Sequence, residues 1–264
     1  MYRTLLSAAS LVLALSLTGC SGDTEATTGK RITLQTRVSG EPEASAGFSN
    51  AKGWTIQLRE AKLSVGALYY FDGAVLLAHG AAPSSPSRIF WRSLGVNDAA
   101  AHPGHYIPGT AMGEALAGGI ADLRAGVASL SAGAGVTGTF RSATFSFSNA
   151  LPGGHAALLV GTAIKGAETR YFRAQIDQAD ILNTKGAPAM EGCPFEETNV
   201  IGNGTVTARV RLPVWFDQVE FSELAASTEA APAVISKGLI AYNALTRGIK
   251  ASDSYLFAFQ KETP

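Results

Sequence analysis

From residue 31 onward, apolar residues recur at every second position, the pattern of a strand with one face buried and the other wet. Ile32, Leu34 and Val38 alternate with polar neighbours, and so do Trp54, Ile56 and Leu58 in WTIQLRE. Leu63, Val65, Ala67, Tyr69 and Phe71 then alternate in the opposite phase, so the parity flips around Arg59 and Glu60. A bulge or bend at that point returns the apolar set to the core side. Phe140, Phe145 and Phe147 alternate with one phase shift, and Tyr255, Phe257 and Phe259 mark a last strand. Asp72-Gly73 and Asn203-Gly204 are two-residue hairpin signals, the second followed by Val206, Val210, Leu212 and Val214. Lys165 to Thr169 reads as a loop between two further strands.

One stretch has the helical period instead: Val234, Ile235, Leu239, Tyr242, Leu245 and Ile249 recur at steps of three and four. Pro232 suits the first turn of such a helix, where a missing amide proton costs nothing. GTAMGEALAGGIADLRAGVASL is a weaker helical candidate, interrupted by five glycines. The expected fold is mainly β, an antiparallel β-sandwich of about ten strands with one or two short helices. The clearer helix falls near residues 232–248, and residues 31–264 read as a single domain.

The first twenty residues, MYRTLLSAASLVLALSLTGC, are of a different kind. One positive charge at Arg3 precedes an uncharged run from Leu5 to Leu17, too short to span a bilayer, and small residues follow. That is an export signal over residues 1–19. Leu17-Thr18-Gly19-Cys20 resembles the lipobox of bacterial lipoproteins, in which a leucine and two small residues precede a cysteine. The resemblance covers the signal alone. It implies that Cys20 carries diacylglycerol and becomes the acylated first residue of the mature chain. Several acyl chains anchor firmly because each buried methylene contributes ~0.8 kcal/mol. By the same resemblance, Ser21 in place of Asp favours the outer membrane over the inner. Residues 20–30, beginning CSGDTEATTG, hold no large apolar side chain and read as a flexible tether.

The chain holds 21 basic and 21 acidic residues, and loss of the signal removes Arg3 alone, leaving 20 against 21. That balance produces no field of the kind that gathers nucleic acid, so nucleic-acid binding is set aside. With Cys20 given to lipid, only Cys193 of the two cysteines remains, and no intramolecular disulfide can form.

The chemical motifs are sparse. There is no HExxH and no GxSxG, so the expectation is a protein that is not an enzyme. Cys193, in MEGCPFEE, reads as a buried or loop thiol, and the glutamates after it would disfavour a thiolate. Gly133 to Gly138 spells GxGxxG, but it leads into a strand rather than a helix and reads as a loop. Asn203-Gly204-Thr205 is formally a glycosylation acceptor and is read as a turn. Trp54, Trp91 and Trp215 with seven tyrosines would suit a glycan platform, although Trp54 and Trp215 bound alternating strands where core duty is commoner.

The histidines carry the remaining signal. His102-Pro103-Gly104-His105 fits a type II turn, in which Pro fixes φ and Gly accepts positive φ. Its first and fourth Cα atoms then lie within ~7 Å, and both imidazoles can meet one ion at ~2.0–2.1 Å. Two ligands do not hold copper or zinc tightly, so His79, His155, Cys193, Met112 and Glu114 are the candidates to complete the set. The alternative is a turn whose histidines bond to backbone or water. The function class expected is a membrane-anchored structural or interaction module of the cell envelope with another envelope protein as partner and no required cofactor. A periplasmic copper- or zinc-binding protein is the alternative, and an envelope hydrolase or glycan-binding module a distant third.

Overall fold

The computed structural model describes residues 29–75 and 106–262. Cys20, His79, Trp91, His102 and His105 lie outside the described residues. The described part is rich in β-structure. In chain order it holds β1 (Arg31–Gly40), α1 (Glu43–Ala46), β2 (Phe48–Ser49), β3 (Thr55–Phe71), β4 (Ala111–Ala115), β5 (Gly119–Asp122), β6 (Val127–Ser129), β7 (Gly133–Val136) and β8 (Gly138–Phe147). There follow β9 (His155–Lys165), β10 (Glu168–Asp177), β11 (Ala189–Val200), β12 (Gly204–Val210), α2 (Leu212–Phe216), β13 (Ala233–Ile235), α3 (Ile240–Ile249) and β14 (Tyr255–Lys261). No helix among the described residues is long and apolar enough to cross a membrane.

All fourteen strands belong to one mixed sheet. β3 pairs with β4, β4 with β7, β7 with β1, and β1 with β12. β12 then pairs with β14, β14 with β11, β11 with β8, and β8 returns to β3. The hydrogen-bonded circuit therefore closes on itself, which removes its free edges. The other half of β3 leaves the circuit and carries β9, then β10, then β13.

The 17 residues of β3 serve both parts because the strand is bulged twice. Its register shifts between Leu58 and Glu60, where the apolar parity flips, so Ala61 and Leu63 are buried along with Ile56 and Leu58. A second shift between Val65 and Leu68 was not anticipated. It turns Leu68 and Tyr70 inward in place of Ala67, Tyr69 and Phe71. Inside the circuit Tyr70, Phe140, Phe145, Phe195, Tyr255 and Phe257 form a continuous aromatic cluster. Under the extension, Phe48, Trp54, Phe172, Phe216 and Phe221 form another, roofed by α2. Asn50 ties that roof down: its Nδ2 donates to the carbonyls of Phe216 (3.0 Å) and Val219 (2.8 Å), and its Oδ1 accepts from Lys52 and Trp54 backbone. With every polar atom satisfied, this buried amide costs little.

Several expectations are corrected. The sheet is mixed rather than antiparallel, since β1 with β12, β10 with β13 and β11 with β14 run parallel. Among the described residues several strands, such as β2 with two residues and β6 and β13 with three, are too short to display a period. The helix expected from residue 232 begins at Ile240, because Val234 and Ile235 add to the edge of β10 and Gly238 breaks the chain at φ +98°. GTAMGEALAGGIADLRAGVASL forms β4, β5 and β6, not helix. Leu212 and Val214 lie in α2, whose first turn holds Pro213.

Asn203-Gly204 does not join paired neighbours, and the run expected to follow Asp72-Gly73 lies mostly outside the described residues. β14 stands between β11 and β12, and the Asn203 side chain instead accepts from the Thr33 amide at 2.9 Å. Asp72 accepts from the Thr110 amide at 2.6 Å, so the partner of β3 there is the chain leading into β4. The expected loop at Lys165 to Thr169 is a tight hairpin, with Gly166 at φ +59°. GxGxxG is strand β7 and the start of β8, not a loop. A Cβ on Gly133 would stand 2.2 Å from the Glu114 carbonyl oxygen, so glycine there permits close strand approach.

Phe257 stacks on Phe195 at 6.0 Å and touches the rings of Tyr70 and Phe145. Phe257→Ala should lower the unfolding free energy by ~3–5 kcal/mol, read by urea denaturation. A loss below ~1 kcal/mol would mean that the ring is not packed in a dense interior.

Candidate functional site

The metal-ligand candidates within the described residues are dispersed by the fold. A register shift opposite Tyr70 and Phe71 makes Met112 an extra residue in β4. Met112 is therefore buried while Glu114, two positions on, is exposed. Cys193, on β11, is fully buried and its thiol donates to the Met190 carbonyl at 3.2 Å. Burial pushes the thiol up from its usual range, so desolvation, rather than the following glutamates, keeps it protonated. Glu196 and Glu197 are engaged elsewhere, with Arg209 and Arg141. Among the described residues no group of three or more His, Cys, Asp or Glu side chains is placed to hold a metal ion.

His155 is the described histidine, and it anchors a polar joint that its own sequence neighbourhood did not announce. It starts β9 opposite Asp177, the last residue of β10, where a bulge follows Ile176. Its Nδ1 lies 2.7 Å from Asp177 Oδ1. Its Nε2 edge covers Gly153, at φ +82°, where a Cβ would come within 2.8 Å. Lys237, in the turn between β13 and α3, places Nζ 2.9 Å from Asp177 Oδ2 and 2.9 Å from Asp180 Oδ2. The Tyr242 hydroxyl, from α3, donates to Asp180 Oδ2 at 2.6 Å. One ammonium, one imidazole and one phenol thus converge on two carboxylates and pin α3 and the turn before it to the end of the β9–β10 pair.

The electrostatics follow from these contacts. The Lys237 ammonium first, and His155 second, hold the Asp177 carboxyl below its usual value. Asp180 and Asp177 raise Lys237 in turn. Burial, with the Asp180 acceptor, pushes the Tyr242 phenol up. An imidazole oriented by a carboxylate has the geometry of a general base and its orienting partner. Here the contacts of the imidazole join the end of the β9–β10 pair, as a fastening between elements does. Comparison with known proteins brings no relative: no family model, no curated protein and no solved structure matches the chain.

Trp54 and Trp215 are fully buried, so neither offers a ring face to a sugar, which corrects the platform reading for those two. The Trp54 indole donates to Glu220 Oε1 at 2.6 Å. Partial burial opposes the Glu220 charge, but the Ser222 hydroxyl and amide, the indole and Lys165 outweigh it and hold the carboxyl down to about 2.

Sequence reasoning missed Asp177, Asp180, Lys237 and Tyr242. The spacing of Asp177 and Asp180 in IDQAD was visible, but it takes the crossing of α3 over this end of the sheet to bring Lys237 and Tyr242 to them.

The pH dependence has a definite sign. Because the folded-state value of Asp177 lies below the ordinary 3.8, its contribution is present above that value and lost as pH falls through the lowered one. Asp177→Asn should therefore melt below the wild type at neutral pH, with the gap in Tm shrinking toward zero in strong acid. A gap that stays constant through the acid range would refute the ion-paired description.

Proposed function

We propose that this chain is a bacterial lipoprotein, anchored through lipid on Cys20, whose residues 31–264 are a non-catalytic interaction or structural module of the cell envelope. The observation that carries the reading is the N-terminal run closing on Leu17-Thr18-Gly19-Cys20. Ser21 favours the outer membrane, and the tether of residues 20–30 allows the module to work at a short distance from the bilayer. For the finer architecture, a filled and closed β-circuit with a sheet extension accounts for the pairings more simply than a sandwich of two separate sheets. Aromatic packing throughout its interior supports use as a rigid platform that presents its outer surface to another envelope protein.

The His102-Pro103-Gly104-His105 turn supports a second reading, a copper or zinc site. The burial of Cys193 and Met112 and the commitment of His155 Nδ1 to Asp177 favour His79 and Glu114 over those three as further ligands.

Fractionation of cells tests the anchor: the wild type should sediment with membranes, and Cys20→Ala should be released or left unprocessed. Unchanged membrane association of that variant would defeat the lipid assignment. For the metal reading, dialysed protein should retain about one equivalent of copper or zinc, lost in the double variant His102→Ala, His105→Ala. An absence of submicromolar binding removes that reading and leaves the anchor untouched.

A further inference from the structure

An open groove of about 600 Å³ crosses the outer face of β3, β9 and β10, away from the polar joint. Three features of its lining point to a ligand. Gln57 stands opposite Thr162, and Thr162 opposite Tyr171, so an amide, a hydroxyl and a phenol form one row across three strands. The first bulge of β3 inserts Arg59 beside that row. Its Nη1 lies 2.5 Å from Glu229 Oε1, and its Nη2 donates to the Glu229 carbonyl at 3.2 Å. Arg124, also lining the groove, donates through Nη1 to the Arg59 carbonyl at 2.5 Å.

The charges of the groove do not balance. Glu229 serves Arg59, yet among the described residues no carboxylate lies within ion-pair distance of Arg124. The Nε atoms of both arginines, like those of Arg170, Arg209 and Arg211 elsewhere, are shielded from solvent without a hydrogen-bond partner among the described residues, and in the groove two such arginines stand together. Buried guanidinium donors left unpaired carry a desolvation cost that an incoming acceptor would relieve. Glu229 is a weak occupant, since its side chain is 65 % exposed and comes from the irregular chain before β13. An exposed pair of that kind contributes little.

We propose that this groove binds an acidic saccharide, whose carboxylate takes the Arg59 fork in place of Glu229 with Arg124 beside it. The ring hydroxyls are met by the row of Gln57, Thr162 and Tyr171. The arginine fork matches a carboxylate, and the pairing with Glu229 already displays that recognition inside the chain. A row of groups that both donate and accept suits several adjacent hydroxyls better than it suits a compact anion. Such a site operates whether or not Cys20 carries lipid.

The test is calorimetric titration of the full chain in detergent with trigalacturonate, with maltotriose and inorganic phosphate as controls. Trigalacturonate should bind, more weakly as salt is added, and maltotriose should not. Glu229→Gln, a change at an exposed position, should tighten trigalacturonate by roughly two- to fivefold, the worth of an exposed ion pair. Arg59→Gln should abolish binding while its thermal unfolding stays cooperative. The proposal is overturned by any of four results. The first is failure of trigalacturonate to bind both the wild type and Glu229→Gln, and the second is equal binding of maltotriose. The third is an unchanged trigalacturonate affinity in Arg59→Gln, and the fourth is phosphate binding where trigalacturonate does not bind.

Discussion

The double bulge of β3 is the constraint on which the rest of the structure depends. A regular strand of 17 residues would twist steadily and present one face to one neighbouring layer. Shifts after Leu58 and after Val65 let a single strand bury Ile56 and Leu58 under the β9–β10 extension and Leu68 and Tyr70 inside the closed circuit. Without the first shift, Ala61 and Leu63 would face water. Without the second, Tyr70 would leave the aromatic cluster. The circuit and the extension are thus joined by covalent continuity along one strand, and neither can slip in register without exposing the apolar residues of the other.

Charge is organised at two places outside that apolar frame, and the two differ in kind. At the end of the β9–β10 pair, the two carboxylates of Asp177 and Asp180 meet Lys237, His155 and Tyr242, so donors and acceptors are matched and the effect is to fasten α3. In the groove over Arg59 and Arg124, two guanidinium groups face one exposed carboxylate, and donors are left over. A matched cluster stabilises a conformation; an unmatched one attracts an acceptor. That contrast places the acidic-saccharide proposal at the groove and not at the joint around His155.

Legibility from the sequence tracked the range of the interactions involved. The alternation through Ile32, Leu34 and Val38 and through Phe140, Phe145 and Phe147 is a local consequence of burying one strand face, and it was readable. The parity flip at Arg59 and Glu60 was equally readable as a bend, although its consequence for Arg59 was not. The spacing of Val234 and Ile235 from Leu239 and Tyr242 fits a helix as well as a strand, and only the free edge of β10 decides for strand. Asn203-Gly204 has the chemistry of a hairpin turn. Insertion of β14 between β11 and β12, a contact from the far end of the chain, denied it that role.

By itself the sequence determined that this is a β-rich chain, where its strands alternate and where one of them must bend. Those properties depend on residues a few positions apart, whose spacing is the same folded or unfolded. Tertiary structure alone decided the parallel pairings and the closure of the circuit. It also decided the burial of Cys193, the separation of Met112 from Glu114, and the meeting of His155 with Asp177 and of Arg59 with Glu229. Each of these joins groups distant along the chain or turns on a register shift, so its occurrence depends on the packing of the whole apolar interior and leaves no periodic trace in the order of residues.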